Sequence, residues 1–172
     1  MTDEYEKYGI AIGTKAPSFD TVDTGKNEVS LANLLTNSKG VVIDFFRGNW
    51  WAYCKKNLKV LIEKYAEIEK WNVKLIAIAV DSSRNLRKLH ERYQSPFPFI
   101  ADKGAEISTA YKVYFTKDHP DPERTHDEFQ DNHAIPSMFL INKDGIIGWR
   151  YIGTKEDRPV MSAIIEAIEK NL

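Results

Sequence analysis

Cysteine is almost missing from this chain: Cys54 is the only one among 172 residues. One cysteine excludes an internal disulfide, so any disulfide must join another molecule. That usage suits a reducing compartment, and a cytoplasmic location is expected. Long hydrophobic runs are also missing. None approaches the ~20 residues that span a bilayer, so no membrane partner is expected. The opening MTDEYEKYGIAIG is acidic and lacks a long apolar core, so no signal peptide is expected. Net charge is nearly absent too. The 24 Lys and Arg against 25 Asp and Glu leave −1 at pH 7, which gives no electrostatic reason to bind nucleic acid or an anionic membrane.

What is present suffices for a core. A hydrophobic share of 42% against 28% charged residues belongs to a folded chain rather than a disordered one. The length fits a single domain over residues 1–172. There is no internal repeat, low-complexity tract or interdomain linker.

The chain is organised around Val41 to Leu58, VVIDFFRGNWWAYCKKNL. Val41 to Phe46 is β-branched and aromatic and reads as a buried strand. Gly48 and Asn49 break it. From Ala52 to about Trp71 the pattern is helical, with Leu58, Leu61, Ile62, Tyr65 and Ile68 on one face. Cys54 falls in the first turns of that helix. The first N–H groups of a helix lack intrahelical partners, and the dipole is positive there, so both favour a thiolate. Arg47, Lys55 and Lys56 add positive charge. Two readings stand side by side: a reactive thiolate, or a small buried hydrophobe.

The remaining elements follow in order. Residues 1–15 are polar and expected to be loosely held. Ala16 to Leu35 reads as a hairpin: Phe19, Thr21 and Val22, a turn over Thr24 to Asn27, and a return over Val29 to Leu31. Ser30 is placed to cap a short helix through Leu35. Val73 to Val80, VKLIAIAV, is a continuous apolar run and reads as a strand buried on both faces. Asp81-Ser82-Ser83 caps a helix carrying Leu86, Leu89 and Tyr93. Ser95 to Ile100 breaks it and leads into a short strand. Glu106 to Tyr111 reads as a short helix and Lys112 to Phe115 as a strand.

Thr116 to Ala134 is polar and long for a connection inside a domain, with a helix start at Asp121-Pro122 running to Gln130. His119, His126 and His133 lack tight ligand spacing, so no metal site is expected there and a solvated loop, able to act as a lid, is the better reading. Asn142-Lys143-Asp144-Gly145 joins Pro136–Ile141 to Ile146–Ile152 as a hairpin. Asp157 with Pro159 opens a last helix carrying Met161, Ile164, Ile165 and Ile168. Strands alternating with helices, then a hairpin and a closing helix, give an α/β sandwich around a mixed sheet.

Four stretches, in order, carry a resemblance. Gly13 to Phe19 resembles an opening G-x-x-A-P-x-F. Phe45 to Cys54 is similar to F-Y-R-G-x-W-C-P-Y-C. Pro96 to Asp102 matches P-F-x-x-x-x-D, and Ile135 to Gly145 is close to P-x-x-F-x-I-D-x-D-G. Together they resemble the peroxiredoxins, the alkyl hydroperoxide reductase/thiol-specific antioxidant (AhpC/TSA) family, from Gly13 to about Lys170. The resemblance implies a thioredoxin-like fold, with a central mixed β-sheet flanked by helices and an N-terminal β-hairpin extension.

It also implies a site. Cys54 falls on the peroxidatic cysteine, and Arg47 is the best candidate to hold its thiolate. Trp51 stands at the first cysteine of the two-cysteine branch and at the threonine of the ordinary peroxiredoxin motif. It offers only a donor where the threonine hydroxyl also accepts. The family's later arginine has Pro136 as its counterpart, which resembles a thioredoxin-type cis-proline and is expected to face Cys54 in a cis bond. Arg150 is a weaker substitute, placed by the hairpin opposite Phe139 or Ser137. Asp44 falls where thioredoxins carry a buried acid, read either as a proton carrier or as a structural acid. Trp50, Trp51 and Tyr53 complete the supporting shell. No metal and no cofactor are implied.

Three functions follow. The first is a single-cysteine thiol peroxidase for hydrogen peroxide or alkyl hydroperoxides, recycled by an external thiol or thioredoxin-like reductant. The second is a binding or structural module that has lost peroxidase activity. The third, thiol–disulfide exchange, is disfavoured because Trp51 removes the first cysteine of a C-x-x-C. A homodimer is an expectation of the resemblance.

Overall fold

The computed structural model describes residues 7–48, 52–115, 133–153 and 158–172, without the side chains of Ala52 and Tyr53. Its centre is β3 (Gly40–Phe45), every residue of which is buried. On one side β3 pairs in parallel with β4 (Val73–Ala79), which pairs in parallel with β5 (Phe99–Ala101). On the other it pairs antiparallel with β8 (Ser137–Asn142), and β8 with β9 (Ile147–Ile152). The sheet order is β5-β4-β3-β8-β9, a mixed sheet as the late hairpin predicts.

Period-two alternation sorts β3 between two cores. Val42 and Phe46 join the apolar cluster under α2 (Ala52–Glu69), α3 (Ser83–Tyr93) and α5 (Met161–Asn171). Val41, Ile43 and Phe45 join the opposite cluster with Leu31, Ile107, Tyr111 and Phe115. The parallel β3 and β4 need a crossover, and α2 supplies it. Its Leu58, Leu61, Tyr65 and Ile68 are buried at the predicted helical spacing. Each aliphatic side chain so buried contributes about 1.5–3 kcal/mol.

Caps fix the helix starts. Ser30 accepts from the Asn33 N–H at 3.1 Å and starts α1 (Leu31–Thr36). Ser82 does the same for α3 through Asn85, also at 3.1 Å. The helix α4 (Glu106–Ala110) has no side-chain cap of its own at Ala105. Instead Asp102, the last residue of the P-F-P-F-I-A-D stretch, accepts from Ile107 N–H at 3.2 Å and Ser108 N–H at 2.7 Å.

Two expectations are corrected. Much of the N-terminal segment is tied down rather than loose. Gly13 N–H donates to Ile147 at 2.8 Å, Ala16 N–H to Gly145 at 2.8 Å, and Gly9 N–H to Lys112 at 2.8 Å. Backbone pairing, invisible to a polarity count, holds it against the β8–β9 hairpin and the end of α4. His133 is likewise not part of a solvated loop. It pairs with Phe115 where β7 (His133–Ala134) meets β6 (Tyr114–Phe115), is fully buried, and stacks on the Phe115 ring at 4.6 Å. His119, His126 and the helix expected from Asp121 to Gln130 lie outside the described residues.

The N-terminal hairpin forms as read, between β1 (Asp20–Val22) and β2 (Glu28–Ser30). Asp23 Oδ1 organises its turn, accepting from the N–H groups of Gly25 and Asn27 at 2.8 and 2.9 Å. In the β8–β9 turn Gly145 has φ +80°, a left-handed value glycine adopts without strain. Among the described residues, no helix is long and apolar enough to cross a membrane.

Candidate active site

Where β3 ends, Phe46 N–H still donates to Ile78 at 2.9 Å, and the chain then leaves the sheet through Arg47 and Gly48. It returns as α2, whose third residue is Cys54. The strand therefore delivers Arg47 next to the first turn of the helix. Arg47 N–H donates to Cys54 Sγ at 3.2 Å. A second donor arrives from the far end of the chain: Arg158 Nη2 lies 3.4 Å from the same sulfur.

The sulfur is fully buried. Burial pushes the Cys54 thiol pKa up. The Arg158 charge, the Arg47 N–H, the Arg158 hydrogen bond and the Gly48 N–H oppose this, in that order, without cancelling it. Of the two readings of Cys54, burial weighs toward the buried thiol and the donors toward the thiolate. The cations Lys55 and Lys56 are half-buried and exposed, and loss of water outweighs the donors.

Asp44 points to the same side of β3 as Val42 and Phe46, opposite Met138 and Ala77 on the flanking strands. It is buried, and its Oδ2 has no hydrogen-bond partner among the described residues. Burial raises its pKa to about 7, and the Arg158 charge works against the rise. Arg158 thus acts on both acidic groups of the site. Near neutral pH the carboxyl can hold or release a proton, as a proton carrier requires.

The candidates from sequence fall into three groups. Cys54, Arg47 and Asp44 gather at the end of β3. Arg47 is no surface charge, because only 2% of it is exposed, and its peptide N–H reaches the sulfur. Arg150 is a correction. It sits opposite Phe139, on the face away from α2, and its Nη1 donates to the carbonyls of Tyr8, Gly9 and Ile10 at 3.0, 3.0 and 3.2 Å. That bonding ties it to the N-terminal segment rather than to the thiol. Pro136 is corrected in part. It lies one residue before Ser137, which pairs with Phe45, so it is at the right end of the sheet. Its peptide bond is trans, since no cis bond occurs among the described residues. Its carbonyl accepts from Gly153 N–H at 2.7 Å and so continues the pairing toward β9. Trp50, Trp51 and the Tyr53 side chain lie outside the described residues.

Arg158 was missed. It is 104 positions from Cys54, so no local spacing connects them. The only sequence signal was an arginine ahead of the proline that opens the last helix, which a reading of helix starts treats as capping chemistry.

The site can be set beside known proteins. The family model described as the AhpC/TSA family matches residues 12–150. The thiol-disulfide oxidoreductase ResA of Bacillus cereus is 29% identical over 154 residues, covering 88% of this chain and 76% of that protein. The selenocysteine-containing peroxiredoxin PrxU of Peptoclostridium acidaminophilum is 31% identical over 147 residues, covering 80% and 66%. Among solved structures, peroxiredoxin 6 of Arenicola marina superposes with a TM-score of 0.79 at 20% identity, covering 94% of this chain and 73% of that one. That likeness is one of fold.

Proposed function

Because the chain belongs to the AhpC/TSA family, we propose that it is a single-cysteine thiol peroxidase with Cys54 as the nucleophile. The observation that carries the reading is the pair of donors on one buried sulfur, Arg47 N–H at 3.2 Å and Arg158 Nη2 at 3.4 Å. Donors fixed around a sulfur hold the charge that develops there, and in a dry site they count for more than in water.

In the reaction, the Cys54 thiolate attacks the terminal oxygen of a hydroperoxide. An S–O bond forms and the O–O bond breaks. Sulfur is oxidised by two electrons to sulfenic acid, and the departing oxygen takes a proton and leaves as water or an alcohol. Asp44, with a pKa of about 7, is suited to supply that proton. Recycling must come from outside, because there is no second cysteine. One external thiol condenses with the sulfenic acid, releasing water and leaving a mixed disulfide. A second thiolate then displaces Cys54 and carries the disulfide away.

Likeness to proteins named thiol-disulfide oxidoreductase supports a second reading, exchange by a lone thiol. The two differ in substrate. Purified protein is mixed with hydrogen peroxide or an alkyl hydroperoxide and a thiol donor, with Cys54→Ser as the blank. Peroxide loss that needs Cys54 is expected. Disulfide reduction without peroxide loss would move the assignment to exchange, and neither activity would mark a module that has lost its chemistry.

A further inference from the structure

Away from Cys54, two bonds dock the turn of the N-terminal hairpin. Thr24 N–H donates to Phe99 of β5 at 3.0 Å, and Arg87 Nε of α3 donates to the Thr24 carbonyl at 3.1 Å. Between turn and helix lies a cavity of about 310 Å³, lined by Lys26 from the turn and by Arg87, His90 and Glu91 from the helix. The Nε bond anchors the Arg87 side chain and leaves its two Nη groups without a partner among the described residues. Lys26 Nζ, on the other wall, likewise has none among them. The two carboxylates of the lining do not neutralise these cations. Asp23 is taken up by its own turn, Oδ1 by the N–H groups of Gly25 and Asn27 and Oδ2 by Asn27 Nδ2 at 3.1 Å. Glu91 follows Arg87 by four positions, the weaker order for a helical ion pair, and makes no bond to it. Arg84, Lys88 and Arg92, all exposed, add positive potential along the same helix.

We propose that this cavity binds a small soluble phosphate ester, held by Arg87 from the helix and Lys26 from the turn. Cations on two separate elements suit a dianion whose oxygens face several directions. A phosphate monoester has about −1.5 to −2 charges at neutral pH and three acceptor oxygens, whereas a carboxylate offers one charge in one plane. The end-on edge of an anchored guanidinium meets two such oxygens at once. His90 forms part of the wall, with its Nε2 committed to the Phe97 carbonyl at 3.2 Å and its ring edge-on to Phe99. The volume is that of a site for one small molecule. It shares no residue with the Cys54 site, so it stands whether or not the chain is a peroxidase.

The test titrates inorganic phosphate and glycerol 3-phosphate into the full chain at constant ionic strength, following the backbone amide resonances. Saturable shifts are expected at Gly25, Lys26 and Asn27. Arg87→Met should weaken binding by about ten- to a hundredfold, the effect of a charged hydrogen bond, and Arg87→Lys should recover only part of it. Arg87 also anchors the turn, so Lys26→Asn is the second variant. Asn tolerates the left-handed backbone of that position, φ +65°, and a loss of about tenfold is expected there. Glu91→Gln removes a like charge and should tighten binding severalfold, which a purely structural role for these residues does not predict. Shifts that never saturate with either probe overturn the site. So does an equal loss in Arg84→Gln and Lys26→Asn, which would leave only a diffuse positive field. Tighter binding of a hexaglutamate peptide, or of phosphatidate vesicles, than of either probe also overturns it, by giving the face to a macromolecule. No readout uses peroxide or Cys54, so failure of the peroxidase reading would be seen separately.

Discussion

At the scale of single residues, the site places two acids in a dry pocket with one arginine acting on both. Asp44 makes this measurable through stability. Its folded pKa is about 7, against 3.8 when unperturbed. Below pH 4 both folded and unfolded chains carry the proton, and burial of the neutral acid is tolerated. Between pH 4 and 7 the unfolded chain loses that proton first, so stability falls as pH rises, and above pH 7 the penalty stays constant. The size is about 4 kcal/mol in total, at 1.36 kcal/mol per pKa unit. Asp44→Asn removes the ionisation. Urea unfolding should show the variant gaining on the wild type from acid to mildly alkaline pH by a few kcal/mol, whatever its offset at low pH. A gap that does not change with pH would mean that Asp44 titrates normally. The resemblance led to Asp44, because it falls where thioredoxins carry a buried acid. Arg158 was not legible in the same way. Its role depends on where α5 docks, and nothing near Cys54 in the sequence encodes that.

Among the elements, reading succeeded where side-chain chemistry is local. The alternation of β3, the helical face of α2 and the Ser30 and Ser82 caps can each be read from a few neighbouring residues. It failed where a long-range backbone pairing decides, as in the tethered residues 9–16 and the buried His133. The Pro136 expectation failed because a motif of a related fold fixes position along the strand but not the peptide isomer. Asp102 lies between these cases: the motif marked it, and the structure gives it a role as a remote cap for α4. Asp102→Ala leaves two N–H groups without this acceptor and should cost about 1–3 kcal/mol in chemical unfolding. Asp102→Asn, which keeps an acceptor, should recover part of that. Equal losses for both variants would show that the negative charge, rather than the capping oxygen, is what α4 needs.

For the whole molecule, the one-cysteine count has a direct consequence. After a brief peroxide pulse, intact mass spectrometry should find the chain heavier by one oxygen, and with an added thiol it should find a mixed disulfide at Cys54. No internal crosslink is available. A mass unchanged under conditions that oxidise a free thiol would leave the module reading standing. The distance along the chain between the sulfur and its second donor also has a meaning in time. During synthesis Cys54 emerges 104 residues before Arg158. At about 5–20 residues per second the ribosome leaves that thiol without its guanidinium for roughly 5–20 s. Over that interval the nascent cysteine lacks that donor, and the apolar cluster that buries it still lacks Met161, Ile164 and Ile168 of the last helix. The thiol is fully buried only once that helix has docked, so the rate at which a newly made chain becomes resistant to a bulky maleimide is expected to be a clock for the completion of folding.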